Sequence, residues 1–164
     1  ASRGLGDVYK RQAQAGYGRG DHSRPLTPAG VRQARELGAL LVKEGVEVEL
    51  ILHSTAARAT QTAQQVGLAY PSAQLLAEDE LYHCSPERLL RLVSEYAPAG
   101  GKAILVVGHE PIISMTAQIL APENAGVPYG VSTATAIAFR VADFTHLVPG
   151  DGELTGVFHA PLRQ

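Results

Sequence analysis

The chain has 164 residues, a length typical of one globular domain. Its 14 basic and 16 acidic side chains give a net charge of −2, which argues against a nucleic-acid binder with a broad basic face. No apolar run approaches the roughly 20 residues that span a bilayer, and no signal-peptide pattern opens the sequence. We therefore expect a cytoplasmic protein with neither a membrane nor a nucleic acid as partner. The single cysteine, Cys84, excludes an intrachain disulfide and a multi-cysteine metal site.

The first twelve residues show neither the hydrophobic period of a helix nor that of a strand. We therefore expect residues 1–12 to be a non-native or disordered leader, and residues 13–164 to form a single domain. Gly16, Gly18 and Gly20 imitate a phosphate-binding loop, but no apolar strand precedes them and no Gly-Lys-Ser/Thr follows. A nucleotide-binding loop is therefore not predicted.

Helices and strands alternate after this leader. Thr27 and Pro28 form a capped helix start, and apolar residues then recur at helical spacing until Gly45. Residues 48–53 predict a short apolar strand, and a second helix follows that strand as far as Gly67.

The alternation continues to the end of the sequence. Ser85 and Pro86 repeat the capped start and predict a third helix. Residues 103–107 are a continuous apolar run, which is typical of a central strand covered on both faces, and a helix over 112–120 follows. Two final segments, 133–141 and 154–159, are rich in β-branched and aromatic residues and predict strands that are antiparallel neighbours or edges. This order predicts a three-layer α/β domain.

Two residues stand just after predicted strands, where open α/β sheets bind their ligands. His109 follows a glycine at the end of the central strand and suits proton transfer or attack on phosphorus, although a buried structural histidine is the alternative. Arg58 lies in the first turn of a helix, where the helix dipole disfavours a cation. An arginine held there can clamp an oxyanion, although a solvated surface arginine is the alternative.

Four ordered blocks of sequence resemble the histidine phosphatase superfamily, especially its small phosphohistidine phosphatases of the SixA type. The blocks are SRPLTPAG at 23–30 with Gln33 and Ala34 after it, LILHSTAARATQTA at 50–63, LVVGHEP at 105–111 and STATA at 132–136. The resemblance covers about residues 13 to 160 and implies the phosphoglycerate mutase-like α/β/α sandwich with a mostly parallel central sheet. The family's apolar first strand is not recognisable in the leader, so we expect that strand to be missing or replaced.

The resemblance implies a phosphatase that needs neither metal nor cofactor, because cationic side chains surround the transferred group. It assigns phosphoryl binding and stabilisation to Arg58 and His109 through charge-assisted hydrogen bonds. Arg24 adds a third cation at the mouth of the pocket, with a solvated loop residue as the alternative. Glu80 or Asp79 is the candidate acid, although a phosphohistidine leaving group departs easily and does not need one.

The sequence departs from the family at the nucleophile. The resemblance places Arg11 on the family's first-strand arginine and Gln12 where the nucleophilic histidine belongs. A glutamine amide cannot form the phosphoenzyme, because its nitrogen lone pair is delocalised into the carbonyl. We therefore expect little or no catalysis from the chain as written. An artefactual start on a genuine phosphatase is favoured over an evolved inactive relative.

The sequence thus predicts a monomeric, bacterial phosphohistidine phosphatase-type domain that acts on a phosphohistidine-containing protein. Two alternatives stay open: a non-catalytic module that binds phosphate or a phosphoprotein, and a phosphatase of the same superfamily for small phosphorylated substrates. No metal site is predicted, because the other histidines lack paired metal-ligand spacing. These are His22, His53, His83, His146 and His159.

Overall fold

The computed structural model describes residues 5–9, 20–100, 103–122, 126–128, 130 and 134–161, with the backbone only at 5–9 and 98–100. The strands are β1 (Leu5–Tyr9), β2 (Leu50–Ser54), β3 (Gln74–Glu78), β4 (Ile104–Gly108), β5 (Thr135–Arg140) and β6 (Glu153–His159). The helices are α1 (Pro28–Lys43), α2 (Ala57–Gly67), α3 (Pro86–Gly100) and α4 (Ile112–Leu120). Short 3-10 helices lie at Asp79–Tyr82 and Phe144–His146.

The described strands form one sheet in the order β3-β2-β4-β1-β5-β6. β3, β2, β4 and β1 run parallel, whereas β5 is antiparallel to both β1 and β6. The carboxyl ends of β1, β2 and β4 therefore share one edge of the sheet with the start of β5. This is the edge at which parallel α/β sheets place their ligands.

The sheet separates two hydrophobic cores. Along β4, Ile104 and Val106 pack with residues of α3 and α4, whereas Leu105 and Val107 pack with residues of α1 and α2. Successive side chains of a strand point to opposite faces, so an apolar run without polar interruption covers both faces. The predicted α/β/α sandwich with a mostly parallel central sheet is confirmed.

Most predicted elements lie close to their expected positions. The hydroxyl of Thr27 accepts a hydrogen bond from the N–H of Gly30 at 3.1 Å, and Ser85 Oγ accepts one from the N–H of Arg88 at 3.0 Å. Both residues therefore act as the helix N-caps that the sequence predicts. Strand β3 was not predicted from the sequence, because it lies at the edge of the sheet and shows no strict alternation of buried and exposed residues.

The first strand corrects an expectation. We expected this strand to be missing or replaced, whereas the structure places Leu5–Tyr9 between β4 and β5. The expectation of a missing strand is wrong, because ladder hydrogen bonds use backbone groups and two neighbours can hold a segment of weak strand propensity. The leader boundary at residue 12 stays a prediction.

Helices α1 and α2 approach each other closely at Gly38. A Cβ atom placed on Gly38 would lie 2.8 Å from the carbonyl oxygen of Val66 and 3.0 Å from its Cα. Such a distance is too short for a carbon atom, so this crossing requires glycine. Within the described part of the chain, no helix is long and apolar enough to cross a membrane.

Candidate active site

Two polar side chains meet at the edge where β2 and β4 end. Arg58 lies in the first turn of α2, just beyond Ser54 at the end of β2, and His109 directly follows β4. Nη2 of Arg58 lies 3.4 Å from Nδ1 of His109, and both residues are buried. The structure thus brings together the two residues to which the sequence assigned phosphoryl binding.

Neighbouring groups fix the tautomer of His109. Its Nε2 lies 2.8 Å from Oγ of Ser54, while its Nδ1 faces the guanidinium group of Arg58. A guanidinium can only donate, so we assign Nδ1 as the acceptor and place the ring proton on Nε2, which donates to Ser54. The same Oγ accepts a hydrogen bond from the N–H of Ala56 at 3.2 Å. Ser54 thereby orients the imidazole from the end of β2.

The environment of His109 disfavours its charged form. Burial lowers the pKa of His109 to about 4, and the nearby Arg58 guanidinium adds to the shift. The histidine is therefore neutral near pH 7 when no anion is present. A phosphoryl group beside Nδ1 would raise this pKa, because an anion stabilises the imidazolium.

A loop residue that sequence analysis did not select completes the cluster. Nη1 of Arg58 donates to the main-chain oxygen of Asp21 at 2.8 Å, and Nη2 lies 3.4 Å from Oδ2 of the same residue. Nη2 of Arg24 forms a salt bridge of 2.7 Å with Oδ1 of Asp21, and the Tyr82 hydroxyl donates to Oδ2. The Tyr82 hydrogen bond first, and then Arg58 and Arg24, hold the pKa of Asp21 below its usual value.

Little in the sequence could have identified these partners. Asp21 lies three residues before Arg24 in the Asp-x-x-Arg-Pro turn, so an acidic residue at that spacing is a local signal. Tyr82 lies 61 positions from Asp21 and belongs to a 3-10 helix that sequence analysis did not predict. Only the fold brings it to the pocket.

Arg24 has an unused donor. Its Nε is buried and has no hydrogen-bond partner in the described structure, although its Nη2 is bound to Asp21. A buried N–H without an acceptor costs about 1–3 kcal/mol. The contact with Asp21 holds the Arg24 side chain beside Arg58, which binds the same carboxylate. This geometry is compatible with the predicted role of Arg24 at the mouth of the pocket.

Glu80 has other partners. Its carboxylate accepts hydrogen bonds from Arg88 at 2.7 and 3.2 Å, and Arg88 also binds Glu95. The hydrogen bonds from Arg88 lower the pKa of Glu80. A proton donor needs a raised pKa, so this pairing argues against the acid role predicted for Glu80. Asp79 is exposed at the start of the same 3-10 helix.

The aromatic ring of Tyr82 packs beside the site that Arg58, His109 and Asp21 form. The Tyr82 ring lies edge-on to His109, with centroids 5.4 Å apart, and edge-on to His22 at 5.0 Å. Nε2 of His22 also lies 3.0 Å from Oγ1 of Thr55. His22, to which the sequence analysis assigned no role, therefore lies beside Tyr82 and Thr55 next to this cluster.

Two predicted site residues, Arg11 and Gln12, lie outside the described residues. Tyr9 is the last residue of β1 and pairs with Gly108, directly before His109. Within the described ranges, no group of three or more His, Cys, Asp or Glu residues could hold a metal ion. Cys84 is half-buried, and burial raises the pKa of its thiol, as expected for a structural cysteine.

Comparison with known proteins agrees with this geometry. The family model of the histidine phosphatase superfamily (branch 1) matches residues 9–89. An uncharacterized protein of Mycobacterium tuberculosis is 34% identical over 161 residues, which cover 92% of this chain and 99% of the relative. The phosphohistidine phosphatase SixA of Escherichia coli is 35% identical over 130 residues, which cover 75% of this chain and 76% of the relative.

Solved structures share the whole architecture. A Nakamurella multipartitia protein, assigned as a phosphohistidine phosphatase SixA, superposes with a TM-score of 0.81 at 30% identity. The superposition covers 98% of this chain and 97% of that protein. Sequence, fold and the paired arginine and histidine at the sheet edge thus agree, and the chain belongs to the histidine phosphatase superfamily.

Proposed function

We propose that this chain is a phosphohistidine phosphatase-type domain whose pocket binds a phosphoryl group between Arg58 and His109. The observation that supports the proposal most directly is the 3.4 Å approach of Arg58 Nη2 to His109 Nδ1 at the carboxyl ends of two parallel strands. A phosphoryl oxygen placed between these nitrogens can accept from Arg58 Nη2, and also from His109 Nδ1 once the histidine has taken up a proton. The substrate that we favour is a phosphohistidine-containing protein.

The charges of the pocket suit an anion without a metal ion. Arg24 and Arg58 contribute two positive charges, Asp21 removes one, and neutral His109 can take up a proton when the anion arrives. Guanidinium groups stabilise the charge on a transferring phosphoryl group through bidentate and charge-assisted hydrogen bonds. Arg11, at the family's first-strand arginine, is proposed as a further phosphoryl ligand.

Gln12 limits the chemistry that this pocket can perform. In the family reaction, a histidine nitrogen attacks phosphorus as the phosphorus–nitrogen bond of the substrate breaks, and water then hydrolyses the phosphoenzyme. The amide nitrogen of Gln12 has no free lone pair for this attack. We therefore propose that the chain as written binds phosphoryl groups but does not turn them over.

The variant Gln12→His tests whether the rest of the site supports catalysis once a histidine stands at the nucleophile position. We expect it to gain hydrolysis of a phosphohistidine-containing phosphorelay domain, measured as release of inorganic phosphate, and to lose this activity on Arg58→Ala or His109→Ala. Two matched controls, the exposed Arg32→Ala and His146→Ala, should leave the gained activity intact. A Gln12→His protein that is folded but inactive, or whose activity survives His109→Ala, would contradict the assignment.

The glutamine also favours a second candidate, a non-catalytic module that binds phosphate or a phosphoprotein. This module needs only Arg58 and its neighbours, and it predicts phosphate binding by the unmodified chain that weakens on Arg58→Ala. Turnover by the unmodified chain would rule it out. Parallel assays with a small phosphoester separate both candidates from a small-molecule phosphatase of the same superfamily.

A further inference from the structure

Asp21 places a carboxylate inside a pocket that we propose for an anion. A negative charge there repels a phosphoryl group, so its presence calls for a compensating role. The carboxylate is partly exposed to solvent, with 36% of its side-chain surface accessible, yet its oxygens are bound by neighbouring side chains. It contacts the cationic groups of both Arg24 and Arg58 and the hydroxyl of Tyr82.

The contacts divide between the atoms of Asp21. Oδ1 accepts from Arg24 at 2.7 Å, and Oδ2 accepts from Tyr82 and lies 3.4 Å from Arg58 Nη2. The main-chain oxygen accepts from Arg58 Nη1 at 2.8 Å. One residue therefore holds two guanidinium groups in a fixed relation, since both are bound to it.

The same contacts leave donors for an anion. Arg24 is bound through Nη2, and its Nε is buried without a partner in the described structure. Arg58 is bound tightly through Nη1, whereas the contacts of Nη2 with the described residues Asp21 and His109 are both long, at 3.4 Å. These contacts leave Nη2 of Arg58 without a short hydrogen bond among the described residues, while Asp21 keeps both arginine side chains oriented.

We propose that Asp21 is a positioning residue that orients Arg24 and Arg58 for a shared anion. This inference rests on the proposed function. Asp21 increases anion affinity by holding the two arginines in place, and this gain exceeds the affinity lost because its carboxylate repels the anion. Tyr82 also supports the carboxylate, because its hydroxyl donates to Oδ2, the same oxygen that lies 3.4 Å from Arg58 Nη2.

The direction in which Asp21→Ala changes the affinity for inorganic phosphate tests the proposal. If Asp21 only added negative charge, Asp21→Ala would tighten the binding of inorganic phosphate. If Asp21 positions the arginines, the variant should weaken binding in calorimetry by roughly tenfold or more. Both variants keep the main-chain oxygen that binds Arg58, but Asp21→Asn also keeps a side-chain acceptor for Arg24, so its loss should be smaller. Equal or tighter binding by Asp21→Ala would overturn the proposal.

A matched control and a second readout complete the test. Asp143 is an exposed aspartate that accepts hydrogen bonds from Thr145, so Asp143→Ala removes the same charge far from the pocket and should not alter phosphate binding. In ligand-free NMR spectra, the side-chain Nε–Hε signals of Arg24 and Arg58 should move toward those of free arginine in Asp21→Ala but not in Asp143→Ala. Unchanged arginine signals would overturn the proposal, whether or not the unmodified chain binds phosphate. If the unmodified chain does not bind phosphate, that failure contradicts the proposed function instead.

Discussion

Arg58 and His109 lie 51 positions apart in the sequence, yet Nη2 of Arg58 lies 3.4 Å from Nδ1 of His109. This approach makes the arginine a donor to the histidine and, together with burial, keeps the imidazole neutral. An anion that enters the pocket competes with the histidine for the guanidinium group. The protonation of His109 and the occupancy of the pocket are therefore linked.

The stability of the protein should depend on the protonation of His109. Its pKa falls from an ordinary value of 6.5 to about 4 in the folded state. Between these values the unfolded chain binds a proton that the folded chain does not, so stability is present above pH 6.5 and is lost as the pH falls toward 4. The expected loss is about 3 kcal/mol at most, measured by urea denaturation across this range.

The variant His109→Gln should lack this part of the pH dependence, whereas His146→Gln on the exposed 3-10 helix should retain it. Asp21, whose pKa is lowered, contributes its own loss of stability only as the pH falls below 3.8. An unchanged slope in His109→Gln between pH 6.5 and 4 would show that another group titrates.

Anion binding should take up a proton at His109. Sulfate is a suitable probe because it stays a dianion throughout the relevant range, unlike phosphate. We expect sulfate binding to strengthen as the pH falls from roughly 7 to roughly 5, because the bound anion stabilises the imidazolium. Calorimetry in buffers of different ionisation enthalpy measures the uptake directly. A pH-dependent affinity that persists in His109→Gln would assign the proton elsewhere.

Removal of the Ser54 hydroxyl should destabilise the end of β2. Oγ of Ser54 accepts from Nε2 of His109 and from the N–H of Ala56, so Ser54→Ala leaves two buried donors without an acceptor. We expect a loss of about 1–3 kcal/mol in the free energy of unfolding. Ser23→Ala, which removes an exposed hydroxyl with one weak contact of 3.4 Å, should cost little. Equal effects of the two substitutions would contradict the role of Ser54.

The crossing of α1 and α2 offers a test of packing. Gly38→Ala would place its Cβ 2.8 Å from the Val66 carbonyl oxygen, and we expect it to cost about 1–3 kcal/mol because two backbones must separate. The matched substitution Gly67→Ala, in the last turn of α2, meets nothing closer than 3.5 Å. It should be neutral or stabilising by up to about 1 kcal/mol, since alanine favours a helix. Thermal unfolding of both variants measures the two stability changes. A Gly38→Ala variant as stable as the unmodified protein would contradict the prediction.

Much of the fold could be predicted from the sequence, because helix caps and apolar strand segments are local signals. Thr27 and Ser85 cap their helices, and the apolar run at 103–107 marks a central strand, as the structure confirms. Strand β3 lacked such signals, since it lies at the sheet edge with partly exposed side chains. The first strand was also missed, because the pairing that holds it comes from distant neighbours.

The candidate site could be predicted only in part. Arg58 and His109 follow strand ends, so topology alone indicated that they lie at one edge. The partners of Asp21 depend on side-chain directions and on the 3-10 helix that carries Tyr82, which no period in the sequence reveals. The pairing of Glu80 with Arg88 is likewise a surface contact between neighbouring elements, and no sequence pattern favoured it over a place in the pocket.

The central place of β1 also constrains the order of folding. The strand comes first along the chain, but it pairs in parallel with residues as far as Gly108 and in antiparallel fashion with residues as far as Ala138. During synthesis, both ladders of Leu5–Tyr9 can therefore form only after β4 and β5 have been made. Until then, β4 and β5 present open edges of the kind that pair with other chains. A strand that precedes β4 and β5 along the chain thus completes the middle of the sheet only after both of them have been made.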